Sequence, residues 1–225
     1  MQKSYKLLIS AAAFAVLFTV FTVCAATVGV RPAGFEGSDL GFADLNSAVF
    51  AAVGENNYFG KTSDAFLGIA LVTACAFAIA GAVQWIKRKK LKKVDGAVLL
   101  LGALYILIII LYGVFEVAAI NFRPGAAEAS YPSTHVLIVT ATALSAAVYA
   151  SARGSDKKIK AAVWVICASA ATLTALCRLC SGEHWLTDII GGLLLGGALV
   201  LLYAGLVDLF DRRSEKEEKN GKTEK

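Results

Sequence analysis

Residues 96–115 read GAVLLLGALYILIIILYGVF, a stretch without one charged side chain. An α-helix needs about 20 apolar residues to cross a hydrocarbon layer about 30 Å thick, and this run meets that length. Outward from it lie comparable runs at residues 7–29 and 66–86 on one side, and at 136–152, 161–177 and 187–207 on the other. The chain of 225 residues is 57% hydrophobic with a mean hydropathy of +0.66, too apolar for an ordinary soluble domain. The runs are rich in Ala, Leu, Val and Ile and lack the alternation of barrel strands, and a backbone in lipid must satisfy its polar groups internally. The sequence therefore predicts an all-α polytopic membrane protein of six transmembrane helices.

The basic residues orient that bundle. Of 22 Lys and Arg, eighteen fall at the N-terminus, at 87–93, at 153–160 and after Phe210. Only Arg31, Lys61, Arg123 and Arg178 fall in the other set of connections. Basic residues collect on the cytoplasmic side, so an even number of spans predicts both termini in the cytoplasm and the 31–64, 116–135 and 178–188 regions outside. The net charge of +5 then belongs to loops that face anionic lipid, and no nucleic-acid partner is expected. The first run, about 23 residues, exceeds the h-region of a signal peptide and is expected to stay as a helix.

Residues 1–210 read as one membrane domain, and 211–225, RRSEKEEKNGKTEK from Arg212, as a charged and disordered cytoplasmic tail. Residues 31–64 form the longest connection, with an apolar-periodic segment at 45–53 that is either an interfacial helix or a loop. Gly191, Gly192, Gly196 and Gly197 have the small-residue spacing of close helix packing. Trp85, Trp164 and Trp185 fall near span ends, where indoles favour the interface.

Only two histidines occur, His135 and His184, each near an arginine on the outer side. The local strings are Arg123-Pro124, then Pro132-Ser133-Thr134-His135, then Arg178, His184 and Asp188. Two guanidinium forks can grip a phosphate and two imidazoles can act as nucleophile and acid, a composition that suits phosphoryl transfer. Pro124 and Gly125 force a turn that holds Arg123 at the surface, where a lone arginine would otherwise read as a snorkelling residue. Pro132 suits the first turn of the fourth helix, placing Ser133, Thr134 and His135 where unpaired amides face outward, which fits either capping or anion binding. His184 and Asp188 are four apart on one helical face. The pair is either a helix-stabilising contact or an oriented nucleophile. Cys177 and Cys180, with His184 nearby, also fit the spacing of a zinc or disulfide pair.

With these residues in view, the chain resembles the type 2 phosphatidic acid phosphatase family, relatives of bacterial acid phosphatases and vanadium haloperoxidases. The resemblance covers residues 116–197 closely and the six-helix plan loosely. It implies a hydrolase of lipid phosphates, of phosphatidic acid, phosphatidylglycerol phosphate or polyprenyl pyrophosphate type. It further implies that His184 attacks phosphorus, Asp188 orients it and His135 protonates the leaving alkoxide, with Arg123, Arg178, Ser133 and Thr134 at the phosphate. A phosphohistidine intermediate, no metal and no cofactor are also implied, with the bilayer and a lipid phosphate as partners. The chain departs from the pattern at three places. Where the family carries a Lys seven positions before its Arg-Pro, this chain has Glu116; Thr134 replaces Gly, and Cys177 replaces Ser. Glu116 could brace Arg123, weaken the site for dianions, or mark a decayed phosphatase that only binds or moves lipid. A phosphotransferase with another acceptor is the third reading.

Overall fold

The computed structural model describes residues 3–154 and 156–223. Seven α-helices occur among them: α1 Lys3–Thr27, α2 Ala43–Val53, α3 Asn57–Arg88, α4 Gly96–Ala118, α5 Thr134–Arg153, α6 Lys157–Cys180 and α7 Leu186–Thr223. Two short strands, β1 Phe122–Arg123 and β2 Ala126–Ala129, pair antiparallel between α4 and α5. Six of the helices, all but α2, are long and apolar enough to span a membrane, as the hydropathy pattern predicts.

The bundle is organised around α7, which packs against α1, α4 and α5. Its apolar stretch is 56% buried, against 6% for α3 at the periphery. Small residues permit that centrality. A methyl group at Gly191 would fall 2.7 Å from the Tyr131 ring, and one at Gly196 would fall 3.0 Å from Thr140, so α7 lies directly on the α5 segment. The core consists of Phe18, Leu101, Leu104, Ile108, Leu137, Leu195, Leu199 and Tyr203. Facing away from it are bare apolar side chains such as Ile69, Val72, Ile109 and Ile166, a surface that only lipid would solvate.

Asp side chains start two of the helices. Asp95 accepts from the Ala97 N–H at the start of α4, and Asp156 accepts from Lys158 and Ile159 at the start of α6. The connections alternate between two poles. One pole carries the basic residues: there Phe210 lies over Gly96, and Lys3 shares a recess with Asp208 and Asp211. The other pole carries residues 28–56, 119–133 and 181–185.

Two expectations need adjustment, and one open alternative is resolved. Where the charge pattern predicts a disordered tail from 211, the helix of α7 continues to Thr223. An established span supplies the nucleus that an isolated charged segment lacks, and Arg212 pairs with Asp208 at 2.7 Å across one turn. The tail's last two residues lie outside the described residues. The 45–53 segment is the helix α2, held by Asn46, which is buried and bonded to Gly41 and Thr187. Trp185 is buried among Leu40, Ala43 and Phe50 instead of sitting at a lipid interface.

Candidate active site

All three motif stretches meet at the pole opposite the basic one. The Arg123-Pro124-Gly125 turn is the tip of the β1–β2 hairpin, with Arg123 in register with Ala126. Thr134 opens α5, so Pro132 stands before the helix instead of in its first turn. The junction between α5 and α7 is a backbone bond from the Ser133 N–H to the Asp188 carbonyl, at 2.9 Å. Tyr131 fixes the approach to α5: its hydroxyl meets Thr22 at 2.8 Å, and burial pushes its phenol up to about 12.

Asp188 is wholly buried. It occupies the third position of α7 and reaches back to the Trp185 N–H at 3.0 Å, the return half of a capping box. Asn121 donates to its other oxygen at 3.0 Å. With the carboxylate so fixed, Oδ2 faces His184 Nδ1 at 3.5 Å, a contact longer than a well-formed hydrogen bond. Thr187, next to Asp188, is itself clamped by Asn46, which accepts from its N–H at 3.2 Å and donates to its hydroxyl at 3.0 Å. A buried polar scaffold thus runs from α2 through α7 to the hairpin entrance. Burial holds the His184 imidazole below its ordinary value of 6.5, against the opposing pull of Asp188, so the ring is neutral at neutral pH.

The arginines do not stand free. Arg178, buried on α6, contacts Glu183 at 2.7 Å through Nη2, and Ser63 at 3.3 Å and Asp64 at 3.4 Å through Nη1. Arg123 contacts Glu128 at 3.3 Å and the same Glu183 oxygen at 3.7 Å. Asp64 also meets His135 Nε2 at 3.0 Å. Asp64, Arg178, Glu183, Arg123 and Glu128 therefore form one continuous chain of charge with His135 resting against its Asp64 end, and His135 and His184 lie within electrostatic reach of each other. The sequence leads one to expect a cationic cup; the structure gives guanidinium groups matched by carboxylates.

Donor capacity nevertheless remains. Among the described residues, the Nε atoms of Arg123 and Arg178, the Ser133 hydroxyl and both ring nitrogens of His184 are buried without a hydrogen-bond partner. Buried polar groups seldom stay unpaired. Ser133 sits at the N-cap of α5 but makes no capping bond, which leaves its hydroxyl for another acceptor. One expected residue, Glu116, does not join the network. Glu116 is exposed on α4 and shares a recess with Phe115, Tyr131, Pro132 and Thr134, and among the described residues it makes no ion pair with Arg123. The five cysteines are free thiols.

Asp64, Glu183 and Asn121 were not singled out in the sequence. Asp64 lies on α3, whose apolar run looks shorter than the helix: α3 begins at Asn57, nine residues ahead of the span read from hydropathy. Its signal is an acid at the head of an apolar helix. Glu183 carries a plainer one, adjoining His184 within the third motif.

Fold and site define a polytopic helical membrane protein with a histidine–carboxylate pair and two arginines at one pole. Residues 115–211, which contain all three motif stretches, match the PAP2 superfamily, so the chain carries a PAP2 region there and the family resemblance read from the motifs is borne out. The crystal structure of a transmembrane PAP2-type phosphatidylglycerolphosphate phosphatase from Bacillus subtilis is similar to the chain with a TM-score of 0.64 at 19% identity, covering 90% of this chain and 96% of that one. No curated protein matches.

Proposed function

We propose that the protein hydrolyses the terminal phosphate of an anionic lipid at the membrane surface, through a phosphohistidine on His184. The observation that carries this reading is the cluster of buried, unpartnered donors and ring nitrogens on Arg123, Arg178, Ser133 and His184, beside a fixed carboxylate. Asp188 holds a proton on His184 Nδ1, which leaves the Nε2 lone pair for phosphorus. As the N–P bond forms and the P–O bond breaks, the alkoxide takes a proton from His135, whose Nε2 rests against Asp64 until the leaving oxygen takes that place. Water then attacks the phosphohistidine, giving its proton to His135 and releasing phosphate and neutral His184. The two guanidinium groups, with the Ser133 hydroxyl, stabilise the charge on the equatorial oxygens.

The distribution of Lys and Arg supports a cell-membrane orientation with the basic pole in the cytoplasm and the site on the outer face. The membrane domain is proposed to end near residue 210, with the rest of α7 extending into the cytoplasm.

The test is phosphate release by the purified full chain from phosphatidic acid, phosphatidylglycerol phosphate and polyprenyl pyrophosphate, with His184→Ala as the control. Release from at least one of them that vanishes in the variant is expected. No release from any, or equal release by both proteins, contradicts the proposal. Label recovered on a second lipid or sugar in place of inorganic phosphate would assign a phosphotransferase.

A further inference from the structure

We infer that Glu183 is an internal competitor for the phosphate position, a residue that sets the site's affinity for phosphate and so hastens release of the inorganic product. This rests on the reading of Arg123 and Arg178 as the phosphate clamp. One Glu183 oxygen, Oε2, lies 2.7 Å from Arg178 Nη2 and 3.7 Å from Arg123 Nη1, the place that a phosphoryl oxygen shared by the two forks would take. Two anionic oxygens cannot share that place without mutual repulsion, so an arriving phosphate must displace the carboxylate.

The seat of this carboxylate is built into the fold. Gly182 precedes it with φ +73, a left-handed conformation that turns the chain out of α6 and toward the arginines. Glu55 closes over Gly182, where any added Cβ would fall 2.4 Å from its Cγ. On the opposite side, α3 presents Gly60, where a methyl group would lie 2.6 Å from Glu183 Oε1. Glycine at 60 is therefore what admits the carboxylate beside Arg178. Asp64, one turn further along α3, holds the other nitrogen of Arg178 together with His135 Nε2. The two acids thus occupy the positions proposed for a phosphoryl oxygen and for the leaving oxygen. A phosphatase that retained its product would stall. A carboxylate returning to the forks lowers the hold on inorganic phosphate at the end of each cycle.

The inference is tested by equilibrium binding of labelled inorganic phosphate to the full chain, Glu183→Gln and Gly60→Ala, with lipid-phosphate turnover measured on the same samples. Glu183→Gln keeps the shape and removes the charge; its phosphate Kd and its KM for the lipid phosphate should fall about tenfold. Gly60→Ala, a change that favours helix, pushes the carboxylate outward and should shift Kd the same way by a smaller factor, which preserves the test if Glu183→Gln does not fold. A merely structural brace for the arginines predicts the reverse. Equal or weaker phosphate binding by both variants overturns the inference while leaving the phosphatase reading intact, provided wild type turns over lipid. Absence of phosphate binding in every protein also overturns it, and absence of turnover as well removes the phosphatase reading with it.

Discussion

The two poles of the bundle each hold an arginine among carboxylates, and they differ in saturation. At the basic pole, Arg153 donates to Asp95 at 2.7 and 2.9 Å and to Asp211 at 2.8 and 3.0 Å, two forks filled at good geometry. Asp95 also caps α4, and its own N–H is held by Gln84 at 2.9 Å. At the opposite pole, Arg178 has one short contact, two near 3.3–3.4 Å and an unpartnered Nε, and the neighbouring His184 has no hydrogen bond at either nitrogen. A filled network fixes the arrangement of α4, α5 and α7. An unfilled one keeps capacity for a ligand.

The sharpest way to break this contrast is to remove its most distinctive member. His184→Ala should lower turnover at least about 10³-fold while helix content stays near wild type, because the ring's contact with Asp188, at 3.5 Å, is longer than a well-formed hydrogen bond. Arg178→Lys should cost about 10²-fold in kcat/KM, and Arg123→Lys less, since Arg123 is 31% exposed and Arg178 only 1%. The opposite pattern is expected of Arg153→Ala: a loss of about 2 kcal/mol in thermal or denaturant unfolding, with the specific activity of the folded fraction preserved. If Arg153→Ala abolished turnover without lowering stability, the division of labour between the poles would be wrong.

Acid should separate the poles as well. His184 must be neutral to attack, and burial holds it below 6.5, so the limb of the kcat/KM profile that His184 sets lies below pH 6.5. Asp95 lies on the other side of its ordinary value, because the Arg153 guanidinium holds its carboxyl below 3.8. Its contribution to stability is present above about pH 3.8 and is lost as pH falls through the depressed folded value. The His184 limb should appear in the rate and the Asp95 limb in the stability, and enzyme assays with circular dichroism on one titration series can follow both. The smallest effect is expected of Glu116→Lys: with its side chain exposed and outside the arginine network, KM should change by less than about threefold.

Much of this was legible from residue order. Six spans follow from apolar length, and the arginine, histidine and aspartate positions follow from three short motifs. What escaped is the set of residues that complete the site from elsewhere. Asp64 and Arg178 are 114 positions apart, and no local period connects them. Their meeting depends on α3 starting early and packing against α6. Asn46 was equally hidden, since an amide in a loop-like stretch says nothing of the buried bond it makes to Thr187. The length of α7 was missed for a different reason. Alternating charges resemble a solvated tail, yet helix propagation from a long span is easy once the nucleus exists.

The most direct measurement is chemical trapping of the intermediate. Full-length protein is mixed with a lipid phosphate labelled in its terminal phosphorus and quenched within one turnover. Acid-labile, base-stable label is expected on wild type and absent from His184→Ala. Turnover with no such label on wild type, or label that persists in the variant, would contradict it.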